Sequence, residues 1–144
     1  MAEQNFKNHT RLIPMFHFVA YTAAVFPFVS SVIHFIRTIG ETSGRLHAAA
    51  MVSLTFAVIL SLWYGRKFAV RAQDRGIRAE ENFRHFVATG KPLDSRLQMS
   101  QIVALRFAGD NEFVALAKKA VDEKLSNKQI KMAITNWRAD NNRA

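Results

Sequence analysis

The only histidine, aspartate, glutamate, lysine or arginine side chains inside the two longest uncharged stretches of this chain are three histidines. Any proton or metal chemistry there would fall to His17, His34 or His47. His34 lies near the end of the first stretch and His47 near the start of the second, so the two sit at similar depth if both stretches are helices. Such a pair could ligate a metal or supply axial ligands to haem. Two imidazoles make an incomplete metal set, however, and a shallow amphipathic histidine is equally at home bonding loop carbonyls or headgroups. His17 has no counterpart at its own depth. The absence of cysteine excludes disulfides, thiolate metal sites, iron–sulfur clusters and cysteine nucleophiles. The acids Asp74, Glu80, Glu81, Asp122 and Glu123 are scattered, with no nucleophile–base pair and no phosphate loop. The sequence therefore assigns no catalytic, cofactor-binding or metal-ligating residues, and the chain reads as non-enzymatic.

The elements that would position these histidines are unusual. Leu12–Ile36 runs for 25 residues, and Leu46–Gly65 for 20, without Asp, Glu, Lys or Arg. The 79 residues from Arg66 onward hold 16 of the 20 basic and 9 of the 11 acidic groups. A helix crosses a bilayer with about 20 apolar residues, so the expectation is two spans, 12–36 and 46–65, joined by an outer loop 37–45. Lys7 and Arg11 in the tail 1–11, with Arg66, Lys67, Arg71, Arg75, Arg78 and Arg84 after the second span, give eight basic groups on one side. Only Arg37 and Arg45 lie on the other, partly offset by Glu41. The positive-inside rule then predicts both termini in the cytoplasm.

Helices in lipid associate through small residues that allow close backbone approach. His17, Ala20, Ala24, Pro27, Ser31 and His34 form such a stripe on the first span, and Ala49, Ser53, Ala57 and Ser61 on the second. These predict an antiparallel hairpin with most bulky aromatics outside it, and a kink near Ala23 caused by Pro27.

Beyond the spans, a basic juxtamembrane helix 66–90 is predicted to stop at Thr89-Gly90-Lys91-Pro92. A three-helix unit over 100–137 follows. Ser100 would cap a first helix ending at Gly109, Asp110 a second, and Ser126 with Gln129 a third. Ile130, Ala133, Ile134 and Trp137 would share one stripe, with Trp137 at the centre of the core. The expected fold class is thus all-α.

Gln4-Asn5-Phe6-Lys7-Asn8-His9, the aromatic run through Pro14 and His17, Ala104-Leu105-Arg106-Phe107-Ala108, Leu125-Ser126, Ile130-Lys131, Ala133-Ile134 and Asn136-Trp137 together resemble an uncharacterised family of small bacterial inner-membrane proteins. That family has two spans, a helical cytoplasmic tail and no assigned activity. The resemblance implies a multi-pass protein of the bacterial inner membrane. The composition suggests an accessory, assembly or scaffold component whose tail binds a protein partner, with anionic lipid headgroups met by the juxtamembrane arginines. Two alternatives stand beside it. One is a membrane-anchored nucleic-acid-binding tail using Lys128, Lys131 and Arg138, disfavoured because its basic groups are spread out. The other is haem or metal binding through His34 and His47.

Overall fold

The structure is a computed structural model and describes residues 4–6, 8 and 12–140. Lys7 and Arg11, counted above among the basic flanks, lie outside the described residues, as does most of the tail 1–11. The architecture is all-helical. A π-helical segment Met15–Ala20 leads into α1 (Tyr21–Arg37), followed by α2 (Thr42–Thr89), α3 (Met99–Leu105), α4 (Asp110–Asp122) and α5 (Asn127–Ala133). Among the described residues there is no strand, only one isolated antiparallel bridge between Ala108 and Trp137. The chain divides into two compact units, 11–68 and 1–10 with 69–144.

In the first unit both apolar stretches are helical, and the connection between them is shorter than the expected 37–45. Thr38 ends α1 by donating its hydroxyl to the carbonyl of His34 at 3.0 Å, and its own carbonyl accepts the Glu41 N–H at 3.0 Å. These bonds satisfy groups that a helix end leaves open, so α2 starts at Thr42. α1 and α2 touch where the hydroxyls of Ser31 and Thr55 lie 3.2 Å apart and where the Phe28 and Phe56 rings stand 6.0 Å apart. The Arg66 guanidinium lies 5.9 Å from the Phe16 ring centre.

The small-residue stripe of the second span is corrected. Ser53, Ala57 and Ser61 are exposed, and the two serines donate their hydroxyls to their own helix, at Ala49 and Ala57. Ala48 and Thr55, seven residues apart, are buried instead. On α1 the buried positions Ala24, Ser31 and Thr38 are also seven apart. The reason is geometric. An i, i+4 series turns by about 40° at each step around a helix of 3.6 residues per turn. A seven-residue recurrence drifts by only about 20° and stays on one contact line. The α1 stripe stands in part: Ala24 and Ser31 are buried, His17, Ala20 and Pro27 half-buried, His34 exposed.

In the second unit α2 ends at Thr89 as expected, and Gly90 adopts φ +72°, a conformation in which glycine carries no side-chain penalty. The N-terminus of α3 differs from expectation. Gln98, not Ser100, makes the cap, exchanging bonds with Gln101, and α3 stops at Leu105. Gly109 is the N-cap of α4, which leaves Asp110 inside the first turn. Ser126 and Gln129 form the capping box read from the sequence.

One apolar cluster gathers Leu93 and Leu97 from the α2–α3 connection with residues of α3, α4 and α5. Its largest fully buried side chains are Phe107, Phe113, Leu105 and Ile130, each stabilising the fold by about 1.5–3 kcal/mol. Trp137 is not its centre. Helix α5 ends at Ala133, Ile134 is extended, and Ala133 is exposed, so the stripe through Trp137 does not form. Trp137 is half-buried, with its ring 5.1 Å from that of Phe107.

The corrected contact line generates a test. Ala48 is fully buried and Ala57 exposed, so Ala48→Leu should overpack the α1–α2 contact at a cost of about 1–3 kcal/mol. Thermal unfolding of the detergent-solubilised chain should show a lower midpoint for Ala48→Leu and an unchanged one for Ala57→Leu. Equal shifts would show that Ala48 does not mark the contact line, and a larger shift for Ala57→Leu would place the contact on the other stripe.

Candidate functional site

The residues singled out for chemistry do not converge. His34 and His47 are both exposed. The described residues contain no group of three or more His, Asp or Glu placed to hold a metal ion. The nucleic-acid alternative needed Lys128, Lys131 and Arg138 on one helix. Helix α5 stops short of Arg138, and the Lys131 ammonium lies 5.6 Å from the Phe107 ring centre.

What the second unit builds instead is a polar node around Arg84. From α2, its Nη1 donates to Glu81 Oε2 at 3.0 Å, its Nε to Asp110 Oδ1 at 2.7 Å, and its Nη2 to the carbonyl of Ala108 at 2.7 Å. The guanidinium also stacks 4.2 Å from the Phe113 ring centre. Glu81 is 5 % exposed. A planar guanidinium suits this fork of acceptors as a lysine would not. Asp110, in the first turn of α4, is favoured there by the helix dipole as well. Sequence reasoning counted Arg84 as one of the flanking charges. Glu81 is a local i, i+3 partner, but Ala108 and Asp110 lie 24 and 26 residues away, and no local pattern announces them.

Beside the node, the end of α2, the 91–97 segment and α4 enclose a cleft of about 430 Å³. Leu93, Leu97, Val114, Ala117 and Val121 line its apolar part, His85, Lys91, Arg96 and Lys118 supply basic groups, and Asp94 and Asp122 acidic ones. Arg96 is held by Asp94, at 2.7 Å between Nη2 and Oδ2. The hydrogen bonds from the Arg96 side chain and backbone bring the Asp94 carboxyl down to about 2. Lys91 and Lys118 form no ion pair with any described residue.

A hydroxyl–imidazole contact in this cleft, Thr89 Oγ1 to His85 Nδ1 at 3.2 Å, superficially resembles a nucleophile and its base. The same Nδ1 lies 2.8 Å from the Lys91 carbonyl, which can only accept a hydrogen bond. That nitrogen therefore carries the proton and cannot take one from Thr89. The threonine hydroxyl bonds the His85 carbonyl at 2.8 Å, which makes the pair a C-terminal cap of α2.

A second carboxylate shapes the rim of the fold. Glu112 accepts from the Thr135 hydroxyl at 2.6 Å, the Thr135 N–H at 3.1 Å and the Asn136 N–H at 2.9 Å. By drawing these backbone donors away it ends α5 before Ile134 and leads the chain into the bridge that seats Trp137 on Phe107. Partial burial opposes ionisation, but the bonds from the Thr135 side chain and from the backbone of Asn136, Thr135 and Gly109 outweigh it, so the carboxyl sits below its ordinary 4.5.

The sign of the pH effect follows from that lowered value. Stability gained from ionised Glu112 is complete above the unfolded value and is lost as pH falls through the folded one. Glu112→Gln keeps one acceptor and faces the other donors with an amide, and it should lose about 1–2 kcal/mol at neutral pH. The gap to wild type should close below pH 4.5. A gap that stays constant down to low pH would show that the charge contributes nothing.

A family model matches residues 1–144, the whole chain. No curated protein and no solved structure matches it. The chain belongs to a family of unknown function (DUF6526).

Proposed function

We propose that the protein is a non-enzymatic component of the bacterial inner membrane. The stretches 12–36 and 46–65 form a transmembrane hairpin with both termini in the cytoplasm. The basic continuation 66–90 carries a three-helix unit, 100–137, that binds a protein partner as an accessory, assembly or scaffold subunit. One observation carries the reading: the two helices long and apolar enough to cross a membrane have only 11 % and 6 % of their most apolar windows buried. Phe26 is 73 % exposed, Leu46 71 %, Leu54 60 % and Trp63 59 %. Each such side chain left in water forgoes about 1.5–3 kcal/mol, whereas hydrocarbon covers it.

The charge asymmetry supports the orientation. Arg66, Lys67 and Arg71 would meet anionic headgroups, each worth about 1 kcal/mol near the surface. The cleft on α4 supports partner binding. Its apolar part fits one or two aliphatic or aromatic side chains, and Lys91 and Lys118 suit acidic groups beside them.

The absence of cysteine makes the test direct. Gly40→Cys, where a side chain meets nothing within 4 Å, should react with a membrane-impermeant thiol reagent in cells whose outer membrane has been permeabilised. Ser95→Cys, exposed on the 91–97 segment, should react only after lysis of the inner membrane. The opposite pattern would reverse the topology. Reaction of both before lysis would contradict the spanning hairpin.

A further inference from the structure

Helix α2 carries a second organised face. Ala69, Ala72, Gly76, Ala79, Phe83 and Phe86 recur at 3-4-3-4-3 spacing, the alternation of a coiled-coil seam. All six are exposed, Phe83 by 69 % and Phe86 by 51 %. A Cβ built at Gly76 meets nothing within 4 Å. Ile77, Glu81 and Arg84 lie on the other side of the same helix, buried or half-buried. No charged residue interrupts the seam for two and a half heptads, in the most highly charged part of the chain. Small residues along one half allow close backbone approach, and two phenylalanines along the other supply the apolar area.

The flanking charges identify the occupant. With Gly76 and Phe83 at the first position of each heptad, Arg75 occupies the position before the seam and Glu80 the position after it, five residues further on. In a parallel pair of identical helices these are the positions that meet between chains. Within one helix a separation of five places them on different sides of the seam. Neither Arg75 nor Glu80 forms an ion pair with a described residue of its own chain. The remaining pairs in this register, Phe68 with Gln73 and Asn82 with Val87, include no like-charge contact.

We propose that this face docks a second copy of the chain, the two α2 helices running parallel about a two-fold axis with reciprocal Arg75–Glu80 ion pairs. The inference goes beyond the proposed function, which leaves the oligomeric state open, and its register argument holds with or without a membrane. Two copies inserted in the same direction would already be parallel, and confinement to one bilayer raises their effective concentration.

Single cysteines in the full-length chain, oxidised with copper phenanthroline in mild detergent and in membranes, test it. Ala72→Cys, Ala79→Cys and Phe86→Cys should each give a covalent dimer of twice 16.3 kDa, and Arg71→Cys and Arg78→Cys little or none. In the Ala79→Cys background Glu80→Arg should abolish the dimer, and Arg75→Glu added to it should restore it. Cross-links on and off the seam alike, an adduct of another mass, a single reactive position as in an antiparallel crossing, or charge reversal without loss and rescue would each overturn the pairing. The labelling of Gly40→Cys and Ser95→Cys is independent of this result, so the pairing and the membrane reading fail separately.

Discussion

A helix of 48 residues is about 72 Å long at 1.5 Å per residue, more than twice the width of a small domain. A chain of 144 residues cannot enclose it, and each stretch of α2 has to find its own cover. Near its start, Ala48 and Thr55 are buried, Thr55 with its hydroxyl against that of Ser31 on α1, and near its end Ile77, Glu81 and Arg84 are buried or half-buried. What these contacts leave open divides in two. From 46 to 65 the open face is bulky and uncharged, suited to hydrocarbon. From Ala69 to Phe86 it is a narrow apolar line between charges, suited to another helix. The proposed membrane anchoring and self-pairing are two answers to this one shortage of cover.

The second unit meets its own difficulty, a core of short helices, by joining them with charged groups. Arg84 bonds Glu81, Asp110 and the Ala108 carbonyl, while Glu112 holds Thr135 and Asn136. Hydrogen bonds to ionised groups are worth about 1.5–3 kcal/mol, comparable with burying one large apolar side chain. The α4 cleft lies beside the node, lined by the end of α2, the 91–97 segment and α4. Pre-formed apolar clefts of this kind favour binding because less ordering is required on association.

Legibility in the sequence followed the range of the interactions. The helical runs, the stop at Gly90 and the Ser126–Gln129 capping box depend on residues within a few positions of one another, and all were readable. The α3 cap was missed because glutamine is not a favoured N-cap residue. The i, i+4 series Ala49, Ser53, Ala57 and Ser61 does not mark the α2 packing line, because exact i, i+4 spacing winds around a helix rather than following one line. The end of α5 and the place of Trp137 could not be read locally, since Glu112 fixes both from more than twenty residues away. The cleft was likewise hidden, its lining drawn from the end of α2, the 91–97 segment and α4. His34 and His47 stand out for their rarity in an apolar stretch, but both are exposed amphipathic side chains near the ends of their apolar helical stretches.

The central claim is that α2 leaves hydrocarbon for water within one unbroken helix, at about Arg66. Spin labels at single cysteines along α2 in lipid vesicles measure this most directly, through their relaxation by oxygen, which partitions into hydrocarbon, and by a nickel chelate, which stays in water. Labels at the exposed positions Met51, Leu54 and Val58 should be relaxed by oxygen and shielded from nickel, and labels at the exposed Arg71 and Arg78 should show the reverse. Equal access of the nickel chelate to both groups would contradict the account.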